Sequence, residues 1–240
     1  MRYRKTAPAA KAGIKGTDDA LAQLFRPGAN SILRVALFAI VLVPLGAAAI
    51  AMALQRTPYI TGEGRFIEQQ VPFSHKHHAG ELGIDCRFCH VGAENQAVAT
   101  VPTTQVCMTC HSQMWTNAAM LAPVRRSWAT HTPLRWSRVN RLPDYVFFDH
   151  HAHVANGVPC AACHGDVRQM PLTRQAAPLT MGWCLDCHEN PEKRLVPENR
   201  ITWSHPYDQP LSEAEARRIH AHVLKLDRTR KLTDCSTCHR

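Results

Sequence analysis

Every cysteine in this chain belongs to the same kind of unit. The ten fall as Cys86-Arg-Phe-Cys89-His90, Cys107-Met-Thr-Cys110-His111, Cys160-Ala-Ala-Cys163-His164, Cys184-Leu-Asp-Cys187-His188 and Cys235-Ser-Thr-Cys238-His239, with none left over. Two thiols one short turn apart can reach the two vinyl groups of a single porphyrin, and the adjacent His can swing beneath the ring to ligate its iron. A zinc framework would pair C-x-x-C units into tetrahedral sites, for which five is an odd number and a His after each pair is superfluous. A disulfide framework has no reason to keep one spacing five times. The spacing therefore predicts five covalently attached c-type haems. Their attachment points are Cys86, Cys89, Cys107, Cys110, Cys160, Cys163, Cys184, Cys187, Cys235 and Cys238, and their proximal iron ligands are His90, His111, His164, His188 and His239.

Apolar residues are unevenly spread. Residues 35–54 (VALFAIVLVPLGAAAIAMAL) carry no charge, and no run of comparable length occurs beyond Arg56. Twenty residues at about 1.5 Å each cover the roughly 30 Å hydrocarbon core of a bilayer. Pro44 is tolerated there better than in a soluble helix. The expected organisation is a basic cytoplasmic tail over 1–34, a transmembrane anchor over 35–55 and a haem-binding domain over 56–240. The tail holds Arg2, Arg4, Lys5, Lys11, Lys15, Arg26 and Arg34 against Asp18 and Asp19, so the positive-inside rule places the haem-binding domain outside the cytoplasm. Ala51-Met52-Ala53 resembles a cleavage site, but the region before the apolar run is too long for an ordinary signal peptide. Either way the haem domain reaches the same compartment, the periplasmic side of a bacterial cytoplasmic membrane. The formal charge of +9 is no argument for nucleic acid: five of those charges lie in the tail, and haem propionates offset the rest.

The segment beyond the span repeats itself. Phe73-Ser74-His75-Lys76-His77-His78 leads into Cys86, and Phe148-Asp149-His150-His151-Ala152-His153 leads into Cys160. Each copy holds a second motif, introduced by Pro102-Thr103-Thr104 or Pro178-Leu179-Thr180. The domain thus divides into a repeat over 73–111, a repeat over 148–188 and a C-terminal fifth haem within 189–240. His residues three apart share a helical face, so one short helix can offer two imidazoles to two neighbouring irons. His75, His78, His150 and His153 are the expected distal ligands; which serves which haem is not fixed by spacing. The fifth iron has several candidates: His205, His131, His220, Met170 and Met181. His220 stands on a helix expected over 212–226, opened by the capping-box pattern Ser212-Glu213-Ala214-Glu215. A Met ligand would raise that haem's potential relative to bis-His partners. The rest reads as mainly irregular chain with short α-helices, since strand-like alternation is nearly absent.

Several stretches carry a resemblance: Phe73 to Cys86, Leu121-Ala122-Pro123-Val124-Arg125, Leu142-Pro143-Asp144-Tyr145-Val146, Phe148 to Gly165, Pro178-Leu179-Thr180-Met181-Gly182-Trp183-Cys184, and Cys238-His239-Arg240. Together they resemble the pentahaem subunit of alternative complex III, a bacterial quinol:cytochrome c oxidoreductase, and the two-haem modules are similar to small c3/c7-type cytochromes. The resemblance implies a c3/c7-like fold built around five haems. It also implies a role as an electron-transfer subunit that is not an enzyme by itself. Iron–sulfur and polytopic membrane subunits would be its partners, and a mono-haem cytochrome c or a terminal oxidase its acceptor. One departure stands out: Asn140 occupies a position where a His is expected in the family.

Two other functions compete. A multihaem nitrite-type reductase needs an open axial position, often with Lys in place of a proximal His, whereas all five motifs here end in His. A stand-alone membrane quinol dehydrogenase of the small tetrahaem type fits the single span but not five motifs in this arrangement.

Overall fold

The computed structural model describes residues 26, 28–229 and 231–239. Most of the basic tail expected over 1–34, and Arg240, lie outside the described residues. The chain divides into two compact units, residues 1–53 and 54–240.

In the first unit the uncharged run forms helix α1 (Ala29–Leu54), which passes through Pro44 without interruption. It starts six residues before the expected boundary, taking in Arg34. Its 26 residues cover about 39 Å. The best 18-residue window has a mean hydropathy of 2.6, and none of that window is buried within the chain.

The second unit is a string of short helices. It opens with α2 (Pro58–Thr61), α3 (Cys86–Cys89), α4 (Thr104–His111) and α5 (Ala122–Thr130). It continues with α6 (His150–Val154), α7 (Cys160–His164), α8 (Met181–Glu189), α9 (Glu213–Thr229) and α10 (Cys235–Cys238). Among the described residues there is no strand, only isolated antiparallel bridges between Phe66 and Arg174 and between Val146 and His239. The apolar interior is thin. Val71, Val124, Met170, Leu195, Val196 and Val223 are buried, whereas Phe66, Phe88, Trp115 and Tyr145 are exposed. So little buried apolar surface is what a domain shows when its packing mass comes from cofactors.

Local sequence explains where helices begin. Asp85 caps α3 by accepting from Arg87 N at 2.9 Å, Asp149 caps α6 through Ala152 N, and Thr180 caps α8 through Trp183 N. The expected capping box is present at α9. Ser212 N donates to Glu215 Oε2 at 2.8 Å and Glu215 N donates to Ser212 Oγ at 3.3 Å. Hydrogen bonding from Ser212 also holds the Glu215 carboxyl below its usual range.

The two copies of the Phe-x-His-x-x-His segment differ in backbone. The second is the α-helix α6; the first is a π-helical turn over Lys76–Glu81, with His75 at its N-cap. The spacer explains this. Seven residues separate His78 from Cys86 but six separate His153 from Cys160, and a wider turn absorbs the extra residue.

The repeats interlock. Lys76 N donates to Met170 O at 3.0 Å, His150 N to Ala97 O at 3.0 Å, and the Arg168 guanidinium to Ala79 O; from the C-terminal segment, Thr202 Oγ1 donates to Asp85 Oδ2 at 3.0 Å. Gly80 packs directly on the Arg168 carbonyl, leaving no room for a Cβ. Gly80→Ala is therefore expected to destabilise the domain by roughly 1–3 kcal/mol, the usual cost of overpacking, read as a lower thermal midpoint with unchanged haem content.

Candidate haem sites

The five motifs are numbered as sites 1 to 5 in chain order. Each motif folds as one turn of helix or part of a longer helix, which brings its two thiols and its His to one side. None of the ten cysteines forms a disulfide.

Four of the five motif histidines face a second imidazole. The ring centres of His75 and His90 are 6.4 Å apart, those of His78 and His111 6.2 Å, those of His150 and His164 6.4 Å, and those of His153 and His188 6.1 Å. Two imidazoles bound to opposite faces of one metal, at about 2.0 Å per nitrogen and about 1.1 Å from nitrogen to ring centre, would have centres about 6.2 Å apart. All four pairs fit a shared iron. Within each repeat, the first His of the Phe-x-His-x-x-His segment faces the first motif and the second His faces the second motif.

Phenylalanine sets these rings in the same way twice. Phe73 stacks on His78 with centres 4.4 Å apart and meets His75 edge-on at 4.9 Å. Phe148 stacks on His153 at 4.6 Å and meets His150 edge-on at 4.8 Å.

Each of these rings is also held from behind through Nδ1. His90 reaches Thr100 O at 2.9 Å, His111 reaches Met114 O at 3.2 Å, His188 reaches Leu232 O at 2.8 Å and His239 reaches Tyr145 O at 3.2 Å. His164 meets the Asn140 carboxamide at 3.1 Å. On the opposing side, His75 pairs with Thr173 Oγ1 at 2.9 Å, His78 with Ser74 O at 2.9 Å, His150 with Ala97 O at 3.1 Å and His153 with Asp149 O at 2.8 Å. Engaging Nδ1 leaves Nε2 for a metal and fixes the ring's orientation, the usual outer-shell arrangement at metal-bound histidine. Burial, then repulsion from neighbouring imidazoles, lowers His75 to about 4, and the same causes lower His164 to about 4. Burial lowers His153 as well. These imidazoles are neutral at pH 7, as ligation demands.

The sites follow one another in space. At site 1, burial pushes the Cys89 thiol up, with the charges of Cys107, Cys86 and Cys110 adding to it. At site 3, burial raises Cys163 to about 11, with Cys187 and Cys184 contributing. Cys184 is raised by burial and next by Cys238 of site 5. The first cysteines of the two repeats adjoin: a hydrogen bond from Cys160 draws the Cys86 thiol down to about 7 and pushes Cys160 up. Read by these neighbours, the spatial order is 2, 1, 3, 4, 5.

Residues 146–240, which hold the second repeat and the fifth motif, match the family described as cytochrome c7 and related cytochrome c. The chain is also 29% identical over 177 residues to the multiheme cytochrome c subunit of a menaquinone reductase from Nitratidesulfovibrio vulgaris, across 72% of this chain and 77% of that protein. Its C-terminal part is thus similar to c7-type cytochromes, and most of its length to a multihaem cytochrome c subunit.

The fifth motif is built differently. His239 lies in an antiparallel bridge with Val146, and its ring neighbour is Tyr145, with centres 5.9 Å apart. Among the sequence candidates for its second ligand, two histidines have acidic partners. His220 pairs with Glu192 Oε1 at 2.8 Å, and His205 Nε2 lies 3.7 Å from Asp166 Oδ2. His131 closes α5 in the left-handed conformation with φ +52°. Met170 is buried behind Gly165, and Met181 is exposed. Asn140, where the family resemblance leads one to expect a His, sits behind the His164 ring, with its amide 3.1 Å from Nδ1. The outer partners Thr173, Asn140 and Leu232 were not legible in the sequence, because they lie far along the chain from their histidines and Leu232 acts through a main-chain carbonyl that carries no residue signature.

Proposed function

We propose that this cytochrome relays electrons through five c-type haems as the electron-transfer subunit of a membrane quinone oxidoreductase complex. The observation that carries the reading is the four imidazole pairs at 6.1–6.4 Å, the spacing of two ligands on one iron. A six-coordinate bis-imidazole iron has no open position for substrate, so haems of this kind carry electrons and leave catalysis to partner subunits. Haem supplies the one-electron chemistry when bound. The chain's own residues would hold it: the cysteine pairs would fix each porphyrin, the facing imidazoles would ligate the irons at sites 1 to 4, and the Nδ1 contacts hold those imidazoles in place. With sites ordered 2, 1, 3, 4, 5, electrons enter and leave at sites 2 and 5, and cross between repeats at the Cys86–Cys160 junction. The uncharged run of α1, with basic residues before it, supports a single-pass protein whose haem domain lies on the periplasmic side of the cytoplasmic membrane.

The resemblance to alternative complex III favours quinol oxidation, with iron–sulfur and polytopic subunits upstream and a mono-haem cytochrome c or terminal oxidase downstream. The related menaquinone reductase subunit favours the opposite direction, from a periplasmic donor into menaquinone. A relay runs either way, and the partners' potentials set the direction. Purification of the native protein in mild detergent separates these readings. Co-purified iron–sulfur and polytopic subunits, five haems per chain and haem reduction on adding a quinol support the first. Reoxidation of pre-reduced haems by a menaquinone analogue, without quinol-driven reduction, supports the second. Isolation as a lone homo-oligomer, or a haem:chain ratio below five, counts against the relay as described.

A further inference from the structure

We infer that Asn140 is a positioning residue for His164 and thereby sets the potential of the haem at site 3. The inference rests on the haem assignment above and goes beyond it. His90, His111, His188 and His239 direct Nδ1 at main-chain carbonyls, whereas His164 is met by a side chain, the Asn140 carboxamide, at 3.1 Å. With Nε2 on iron, the remaining ring hydrogen sits on Nδ1 and must be donated. The amide atom nearest the ring in this structure is Nδ2; a half-turn about the last torsion of Asn140 exchanges it with the oxygen, which then accepts from Nδ1.

A main-chain carbonyl offers the same acceptor whatever residue carries it. A side-chain acceptor can be removed or strengthened by substitution, so among the five motif histidines His164 is the one whose outer partner is adjustable through the sequence. Accepting a hydrogen bond from Nδ1 makes the imidazole a stronger donor to the metal. A stronger donor stabilises ferric over ferrous iron, and outer-shell hydrogen bonding is one of the levers on haem potential. The place of this control is telling. Site 3 holds Cys160, whose thiol adjoins Cys86 of site 1, and Cys163, whose neighbours are Cys187 and Cys184 of site 4. It is the step through which every electron crossing between repeats must pass.

The test uses full-length holoprotein in detergent carrying Asn140→Leu or Asn140→Asp, with haem midpoints resolved by spectroelectrochemical titration. Leucine keeps the bulk and removes the acceptor. One haem is expected to become easier to reduce, its reduced:oxidised ratio at fixed potential rising about tenfold, or about 59 mV for one electron, at the low end of the 10–100-fold effect of removing outer-shell partners. Aspartate, a stronger acceptor, is expected to move one midpoint downward most. If neither variant displaces a midpoint, or if leucine moves all five together, the inference is overturned. Should the leucine variant lose its haem, the aspartate variant decides alone: one midpoint lowered most supports the inference, and an unchanged set overturns it. Failure of the underlying assignment is separately visible, because wild-type protein lacking a bis-imidazole spectrum at the Cys160–Cys163 haem sinks both.

Discussion

Replacing His75 with alanine is expected to turn one haem per chain from low-spin to high-spin while all haems stay covalently attached. The facing rings of His75 and His90 are 6.4 Å apart and tilted by only 11°, so removing one leaves the iron at site 1 with a single imidazole. The thioethers and His90 persist, and the porphyrin stays in place. Alanine at His78, His150 or His153 is expected to do the same at sites 2, 3 and 4 respectively. Each variant should show the high-spin signature in electron paramagnetic resonance and bind carbon monoxide at one haem once reduced, where wild-type sites 1 to 4 do not. The neighbouring histidines are internal controls. His77 pairs with Glu81 at 2.9 Å and His151 with the Glu94 carbonyl, away from any motif histidine, so alanine at either should leave spin states unchanged. A methionine at His75 keeps an iron ligand but is expected to raise that haem's potential, since Met/His ligation does so relative to bis-His. Alanine variants that all stay low-spin would remove the axial assignment, whatever the haem count.

Much of this arrangement could be read from residue spacing, and the boundary of what could not is instructive. The C-x-x-C-H motif is a covalent requirement, so it survives as a local pattern. The Phe-x-His-x-x-His pattern is local too, and its duplication shows in the matching ring geometry of Phe73 and Phe148. The partner of each His was not legible. It depends on how 73–78 lies against the two motifs after it, which spacing within one segment does not express. The π turn at Lys76–Glu81 was hidden for a related reason: a one-residue difference in spacer length shows in sequence, but its absorption in the backbone does not. The Nδ1 partners were the least accessible. Thr173 lies 98 residues from His75 and Leu232 lies 44 from His188, and main-chain acceptors place no demand on residue type. The order 2, 1, 3, 4, 5 likewise arises from packing between repeats, as in the Lys76–Met170 and Arg168–Ala79 contacts. Residue numbering would have suggested 1, 2, 3, 4, 5.

The second large effect concerns α1. A variant beginning at residue 56 behind a cleavable signal sequence is expected to leave the membrane fraction and keep its full complement of haems. Between residues 35 and 54 the helix carries ten Leu, Ile, Phe or Val side chains, each favouring a bilayer centre by about 0.3–0.6 kcal/mol on insertion scales, so about 3–6 kcal/mol of membrane preference resides there. Ile32, Phe38, Ile40 and Val43 all stand more than 60% exposed, and an apolar surface of that extent is stable in lipid or against partner helices rather than in water. The haem motifs, their facing histidines and the Nδ1 partners all fall within residues 73–239. Nothing that positions a haem is therefore lost with the anchor. Alkaline carbonate washing should release the truncated protein and retain the full-length chain, with equal haem:protein ratios in both. The helix also runs unbroken across Ala51-Met52-Ala53 to Leu54, so the mature protein isolated from membranes should retain residues before Ala53. Native protein that is soluble and starts just after Ala53 would identify the apolar run as a removed signal instead. The haem domain would then reach the membrane only through its partner subunits, and the relay would depend on that docking surface rather than on a tether of its own.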